Sequence, residues 1–125
     1  THIKKEDTEE ILALASHRSI LVTDAISAAG AGDGNYTIGK LGVTVQDSVA
    51  RLESNGALAG STLTMDRAFL NAINKCGVSV EQAVSITSTN PATALGLKDR
   101  GRIAVGMRAD LLSYDSSSGS ITVIS

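Results

Sequence analysis

Apolar positions along the chain follow two rhythms, a helical one of three to four residues and short unbroken runs, with glycine-rich stretches between them. From Asp7 to Ser16, Glu9 and Glu10 precede Ile11, Leu12, Leu14 and Ala15. That order predicts a short helix with acidic residues near its amino end, where the helix dipole favours them. A turn at His17-Arg18 follows. Ser19-Ile-Leu-Val-Thr23 is then continuously apolar at its centre, which predicts a strand buried on both faces, as in a parallel sheet. Helix, turn and buried strand make an αβ unit. It places Asp24 at the carboxyl end of the strand, where α/β folds keep their chemistry.

Residues 28–35 are too rich in glycine for an element interior and predict a loop. Beyond it, Tyr36–Ile38, Leu41–Val45 and Val49–Leu52 have strand composition, separated by Gly39-Lys40 and by Gln46-Asp47-Ser48. A second glycine-marked loop, Asn55–Thr62, leads into a helix whose apolar face is Met65, Ala68, Phe69, Ala72, Ile73 and Cys76, ended by Gly77. Ser79-Val-Glu-Gln82 reads as a capping box that opens a further helix, turning Val80, Ala83, Val84 and Thr87 to the core. Asn90-Pro91 is expected to close that helix and cap another, which Gly96 stops. Residues 102–110 form bends, and Leu111–Tyr114 with Ser120–Ile124 predict a hairpin, expected to pair with the strands between residues 36 and 52.

Composition narrows this picture. The 125 residues are about half of what a complete eight-stranded α/β barrel needs. Hydrophobic residues at 42% against 19% charged describe a folded chain. A net charge of −2 argues against a nucleic-acid surface, and 2% aromatics without tryptophan argue against a platform for stacked bases. One cysteine excludes an internal disulfide. No apolar run is long enough to cross a bilayer, so no membrane partner and a cytoplasmic location are expected. The start, Thr1-His-Ile-Lys, is not an ordinary translational start, and a truncated chain is expected.

Asp24 is the leading candidate for chemistry, because a carboxylate at a strand mouth beside a flexible loop can accept a proton and return it to a leaving group. Capping of the following amides is the alternative role. Asp33 and Asp47 read as turn residues and Asp66 as a first-turn carboxylate. His2 and His17 are the only histidines, too few and too scattered for a protein-only zinc site even with Asp24. Cys76 repeats on an apolar helix face and reads as packing. The Leu58-Ala-Gly-Ser-Thr62 amides could approach an anion or a sugar hydroxyl, whereas Arg102 and Arg108 read as surface ion pairs.

Several separated blocks, taken in order, carry a resemblance. They are Leu21-Val-Thr-Asp-Ala25, Gly30 with Asp33-Gly34, Leu58-Ala-Gly-Ser-Thr-Leu-Thr-Met65, Thr89-Asn-Pro-Ala92 with Ala94-Leu-Gly96, and Gly101 through Ala109-Asp-Leu111. Together they resemble the carboxyl-terminal third of the N-acetylglucosamine-6-phosphate deacetylases, in the amidohydrolase superfamily. The resemblance implies an α/β fold, the carboxyl-terminal fragment of a metal-dependent TIM barrel with part of an accessory β-sandwich. Residues 1–34 would end the barrel with its eighth strand, 35–54 would be a sandwich excursion, 55–100 would complete the barrel, and 101–125 would return to the β region.

The implied chemistry is hydrolysis of the N-acetyl group of N-acetylglucosamine 6-phosphate, with Asp24 as general base and acid on metal-bound water. Leu58, Ala59 and Gly60 would contact the phosphorylated amino-sugar substrate, as would His2, acting across a homodimer interface. The divalent metal, Zn or Fe, would be held by residues upstream of this sequence, with Asp24 at most a weak ligand, so the 125 residues alone are expected to be inactive. Ser27-Ala-Ala29 departs from the family's proline-containing approach to the glycine. Two other readings stand beside this one, an amidohydrolase acting on a cyclic amide and a non-catalytic structural or self-associating piece.

Overall fold

The computed structural model describes residues 3–124, so the expected His2 contact lies outside the described residues. The chain folds into two compact units, residues 3–21 with 69–124 and residues 22–68. In the second unit, β1 (Gly34–Ile38), β2 (Leu41–Gln46) and β3 (Val49–Leu52) form an antiparallel meander in the order β1-β2-β3. The expected strands are thus present, with β1 starting two residues earlier.

Alternation along β2 sends Val43 and Val45 to one face, where they are buried with Ala28, Ala50 and Ala59. The β2–β3 turn needs two consecutive left-handed residues to match the strand twist. Asp47 (φ 51°) and Ser48 (φ 61°) supply them without glycine. Asp33 compensates, its carboxylate accepting hydrogen bonds from the Asp47 amide at 2.7 Å and the Ser48 amide at 3.1 Å. Asp47 is therefore the turn residue expected, and Asp33 braces a turn distant in sequence.

The other unit is mainly helical. It contains α1 (Lys5–Ala15), most of α2 (Met65–Cys76), α3 (Val80–Val84) and α4 (Asn90–Ala94), and a hairpin of β4 (Leu112–Asp115) and β5 (Ser120–Val123). Leu12, Phe69, Ala72, Val78, Ala83 and Ile86 form its core, with Tyr114 and Ile121 of the hairpin packed on it. Phe69 and Tyr114 meet edge to face at 5.2 Å, the arrangement favoured by the aromatic quadrupole. β4 and β5 pair with each other in a two-stranded sheet of their own, not with β1–β3 as expected, and Tyr114 and Ile121 pack on the helical core.

The capping box is made as predicted. The Gln82 amide donates to Ser79 Oγ at 3.2 Å and the Ser79 amide to Gln82 Oε1 at 3.0 Å. Val84, expected in the core, is 43% exposed, and Ile86 is buried instead. The inward face is centred on Ala83 and continues three residues on, leaving Val84 about 100° around the helix.

Asn90 is not a cap. Its φ of −65° and ψ of −46° are helical, and the chain runs from α3 through a π-helical turn, Ser85–Thr89, directly into α4. Pro91 lacks the amide that an α-helix would pair with the Thr87 carbonyl, and the wider turn absorbs that loss. The Asn90 side chain instead donates to the Ser16 and Ser19 carbonyls at 2.8 and 2.7 Å, tying α4 to the end of α1.

A further correction concerns Ser19–Thr23. The segment carries no strand ladder; the Leu21 amide donates to the Ile86 carbonyl at 3.0 Å, and an isolated parallel bridge joins Ala25 and Ser61 just beyond it. A strand is defined by its neighbours, and apolar sequence alone does not supply them. Val22 is accordingly 76% exposed instead of buried. The architecture is α/β with mixed helices and strands, and no closed barrel forms among the described residues. No described helix is long and apolar enough to cross a membrane.

Two consequences are measurable. Ile86→Ala removes a fully buried side chain and should cost about 2–5 kcal/mol of stability in urea unfolding; a loss below about 1 kcal/mol would contradict the packing. In the β4–β5 turn, the Ser117 hydroxyl and amide and the Ser118 hydroxyl donate to Asp115 and lower its carboxyl from 3.8 to about 2. A lowered folded value stabilises the turn above the ordinary value, and that contribution fades as pH falls through about 2. Carboxyl NMR titration of Asp115 should therefore show it ionised at pH 3.5, and an ordinary midpoint would refute the turn geometry.

Candidate functional site

Asp24 lies in the residue 22–68 unit, immediately after the extended segment, and its side chain is exposed. Its backbone is left-handed, with φ 51°, a conformation uncommon outside glycine but tolerated by aspartate better than by most residues, and neighbours hold it there. Those neighbours come from Gly60–Leu63. The Ser61 amide donates to the Asp24 carbonyl at 2.8 Å, and the Ile26 amide donates to the Ser61 carbonyl at 2.9 Å. Ser61 Oγ donates to the Thr23 carbonyl and accepts from the Leu63 amide at 3.1 Å. Thr23 Oγ1 accepts from the Ala25 amide at 3.3 Å.

Gly60 completes the arrangement. Its φ is 64°, and a Cβ placed on it would lie 2.6 Å from Ile26 Cγ2 and 2.9 Å from the Asp24 carbonyl oxygen. Only glycine fits both the conformation and the space. Before it, residues 57–59 run beside β3. Leu58 bridges Arg51, the Leu52 amide donates to the Ala57 carbonyl at 2.8 Å, and the Ala59 amide donates to the Ala50 carbonyl at 3.0 Å.

The three loop residues thus differ in what they offer. Leu58 is 46% exposed, Ala59 is buried beside Val43 and Val45, and Gly60 abuts Asp24. Of the amides of this loop expected to approach an anion, those of Ala59 and Ser61 are spent on the Ala50 and Asp24 carbonyls.

The other candidates serve the scaffold. Thr64 and Ser79 hydroxyls hold the Asp66 and Glu81 carboxyls below their ordinary values at helix starts. Arg108 pairs with Asp110 at 2.6 Å, with both side chains largely in solvent. Cys76 packs, half-buried, against the core around Phe69, and His17 is exposed after α1. A cleft of about 270 Å³ lined by Gly30, Gly32, Asp33, Ser48 and Thr62 does not include Asp24. Its polar groups are already engaged, Asp33 on the β2–β3 turn and Thr62 Oγ1 on the Ser48 carbonyl at 2.7 Å. Among the described residues no group of three or more His, Cys, Asp or Glu side chains could hold a metal.

Asp24 and the Leu58–Gly60 loop lie in one unit and meet through Gly60, and the bonds from Ser61 to residues 23, 24 and 26 add to that contact. The Gly-Ser pair was visible, whereas the left-handed backbone it braces leaves no mark in composition or periodicity.

Comparison with known proteins places this geometry in context. The chain is 40% identical over 103 residues to the N-acetylgalactosamine-6-phosphate deacetylase of Escherichia coli O157:H7, covering 82% of this chain and 27% of that protein. It is 39% identical over 100 residues to the N-acetylglucosamine-6-phosphate deacetylase of Vibrio furnissii, covering 79% of this chain and 25% of that one. Among solved structures, the N-acetylglucosamine-6-phosphate deacetylase of Thermotoga maritima superposes with a TM-score of 0.87 at 42% identity, over 97% of this chain and 33% of its own.

The Mycobacterium smegmatis deacetylase, solved as a variant in complex with N-acetyl-D-glucosamine-6-phosphate, gives a TM-score of 0.87 at 35% identity, over 98% of this chain and 33% of its own. The chain spans between about a quarter and three fifths of the length of the curated relatives it matches. Residues 40–123, the greater part of the sequence, match the sequence model of the amidohydrolase family, and the chain belongs to that family.

Proposed function

We propose that this chain is the carboxyl-terminal part of a deacetylase that hydrolyses the acetamide of N-acetylglucosamine 6-phosphate to glucosamine 6-phosphate and acetate. The observation that carries the reading is Asp24, an exposed carboxylate on a left-handed residue braced by Ser61 and abutted by Gly60. Strain of this kind gathers at functional sites, where a fixed side-chain direction is worth its energetic cost. The similarity to phosphorylated amino-sugar deacetylases supports the substrate class.

In the proposed reaction Asp24 accepts a proton from the attacking water as its oxygen bonds to the acetyl carbon. It then delivers that proton to the departing nitrogen as the C–N bond breaks. Leu58, Ala59, Gly60 and His2 contact the sugar, Leu58 through its exposed side chain, and a homodimer brings His2 to the site. The divalent metal implied by the resemblance, Zn or Fe, would be held by residues outside this sequence, since the described residues form no ligand cluster. The 125 residues by themselves are accordingly proposed to be inactive, with the proton transfer assigned to Asp24.

A second reading has a specific observation behind it. Identity to the Escherichia coli N-acetylgalactosamine-6-phosphate enzyme, at 40%, is within one percentage point of that to the Vibrio furnissii N-acetylglucosamine-6-phosphate enzyme, at 39%. The two substrates differ at one sugar hydroxyl, and acetate release from each decides between them. In a protein of the relatives' full length that carries this chain, Asp24→Asn should lower kcat by about 10²–10⁴-fold with little change in KM. Wild-type turnover by that variant would overturn the role of Asp24. A higher kcat/KM for the galactosamine substrate would transfer the activity to the second reading.

A further inference from the structure

We propose that Ser61 is a positioning residue for the reaction, acting through the backbone on both sides of Asp24; this rests on the reading of Asp24 as the proton-transfer group. Three features of the geometry point to it. The Ser61 amide holds the Asp24 carbonyl at 2.8 Å, while its hydroxyl holds the preceding carbonyl, that of Thr23. The Ser61 carbonyl receives the Ile26 amide at 2.9 Å, beyond Asp24 on the other side. Ser61 thus bonds to the chain before, at and after the left-handed position.

Left-handed backbone is less favourable than the β region for an L-residue, and aspartate tolerates it better than most, so a few hydrogen bonds suffice to hold Asp24 there. Released, the peptide units flanking Asp24 rotate and carry the carboxylate with them. An effect of that kind falls on the reacting geometry and not on sugar contacts, because a small misplacement of a catalytic group lowers the rate steeply.

The hydroxyl is the separable part of the clamp. It donates to Thr23 and accepts from the Leu63 amide at 3.1 Å, so it also fixes its own rotamer. The backbone bonds of Ser61 survive its removal, which leaves the bridge between Ala25 and Ser61 in place. Gly60 acts on the same point by a different means, since a methyl group there would press on the Asp24 carbonyl oxygen from 2.9 Å.

The test uses a full-length protein carrying this chain, with Ser61→Ala, Ser61→Thr and Gly60→Ala. Ser61→Ala should lower kcat about tenfold, with KM within about twofold and an unchanged thermal midpoint. Ser61→Thr, which keeps the hydroxyl, should recover most of the loss. Gly60→Ala should lower kcat with the hydroxyl intact, and it gives a reading even where Ser61→Ala folds poorly. Wild-type kcat in folded Ser61→Ala, or an equal loss in Ser61→Thr, would overturn the proposal. Asp24→Asn run alongside separates the two ideas: if that variant turns over normally, the reading of Asp24 fails, whereas a dead Asp24→Asn beside an unimpaired Ser61→Ala defeats the positioning role alone.

Discussion

The pairing of Ser61 with residues 23–26 is the constraint on which the site depends. It is a single parallel bridge, not a ladder, yet it joins the extended segment to the loop after Leu58 through backbone bonds on either side of Asp24. Backbone groups left unpaired in a half-buried segment are costly, so the segment takes the partner that is present. The local geometry is consistent with that choice: Asp24 is left-handed and Gly60 leaves no room for a Cβ, while pairing with β3 places Ala59 beside Val43 and Val45.

The small β unit supports that bridge from the other side. Its meander is stiffened at one end by Asp33, which spans from the glycine loop to the β2–β3 turn, and Thr62 fastens the loop after Ser61 to the same turn through the Ser48 carbonyl. Polar side chains thus do, on an exposed surface, what apolar contacts do within the sheet. Hydrogen bonds to a charged carboxylate are stronger than neutral ones, which suits Asp33 to hold two strained residues that are not glycine.

Elements with local causes were legible in the sequence. The helical stripe, the Ser79–Gln82 box and the strand composition of residues 41–45 each need only a few neighbouring residues to be recognised, and each formed, except that Met65 at the start of the stripe is 42% exposed. Elements decided at a distance were not. The Ser19–Thr23 run has strand composition but no adjoining strand, and Asn90 looked like a cap while its amide reaches carbonyls at the end of α1. In the site, Asp24 stood out by position, but its left-handed backbone is imposed by Ser61, far along the chain. A side chain at the end of an apolar run is visible in a local pattern, whereas a backbone bond from a residue far along the chain is not.

The central claim is that the Asp24 carboxylate itself carries the proton. Chemical rescue tests it most directly. Asp24→Gly in a full-length protein carrying this chain keeps a residue suited to the left-handed backbone while deleting the carboxylate. Acetate release from N-acetylglucosamine 6-phosphate should then collapse and return in proportion to added formate, a small carboxylate able to occupy the vacated space. Turnover that survives without formate, or a loss that formate leaves unrepaired while the substrate still binds, would contradict the account.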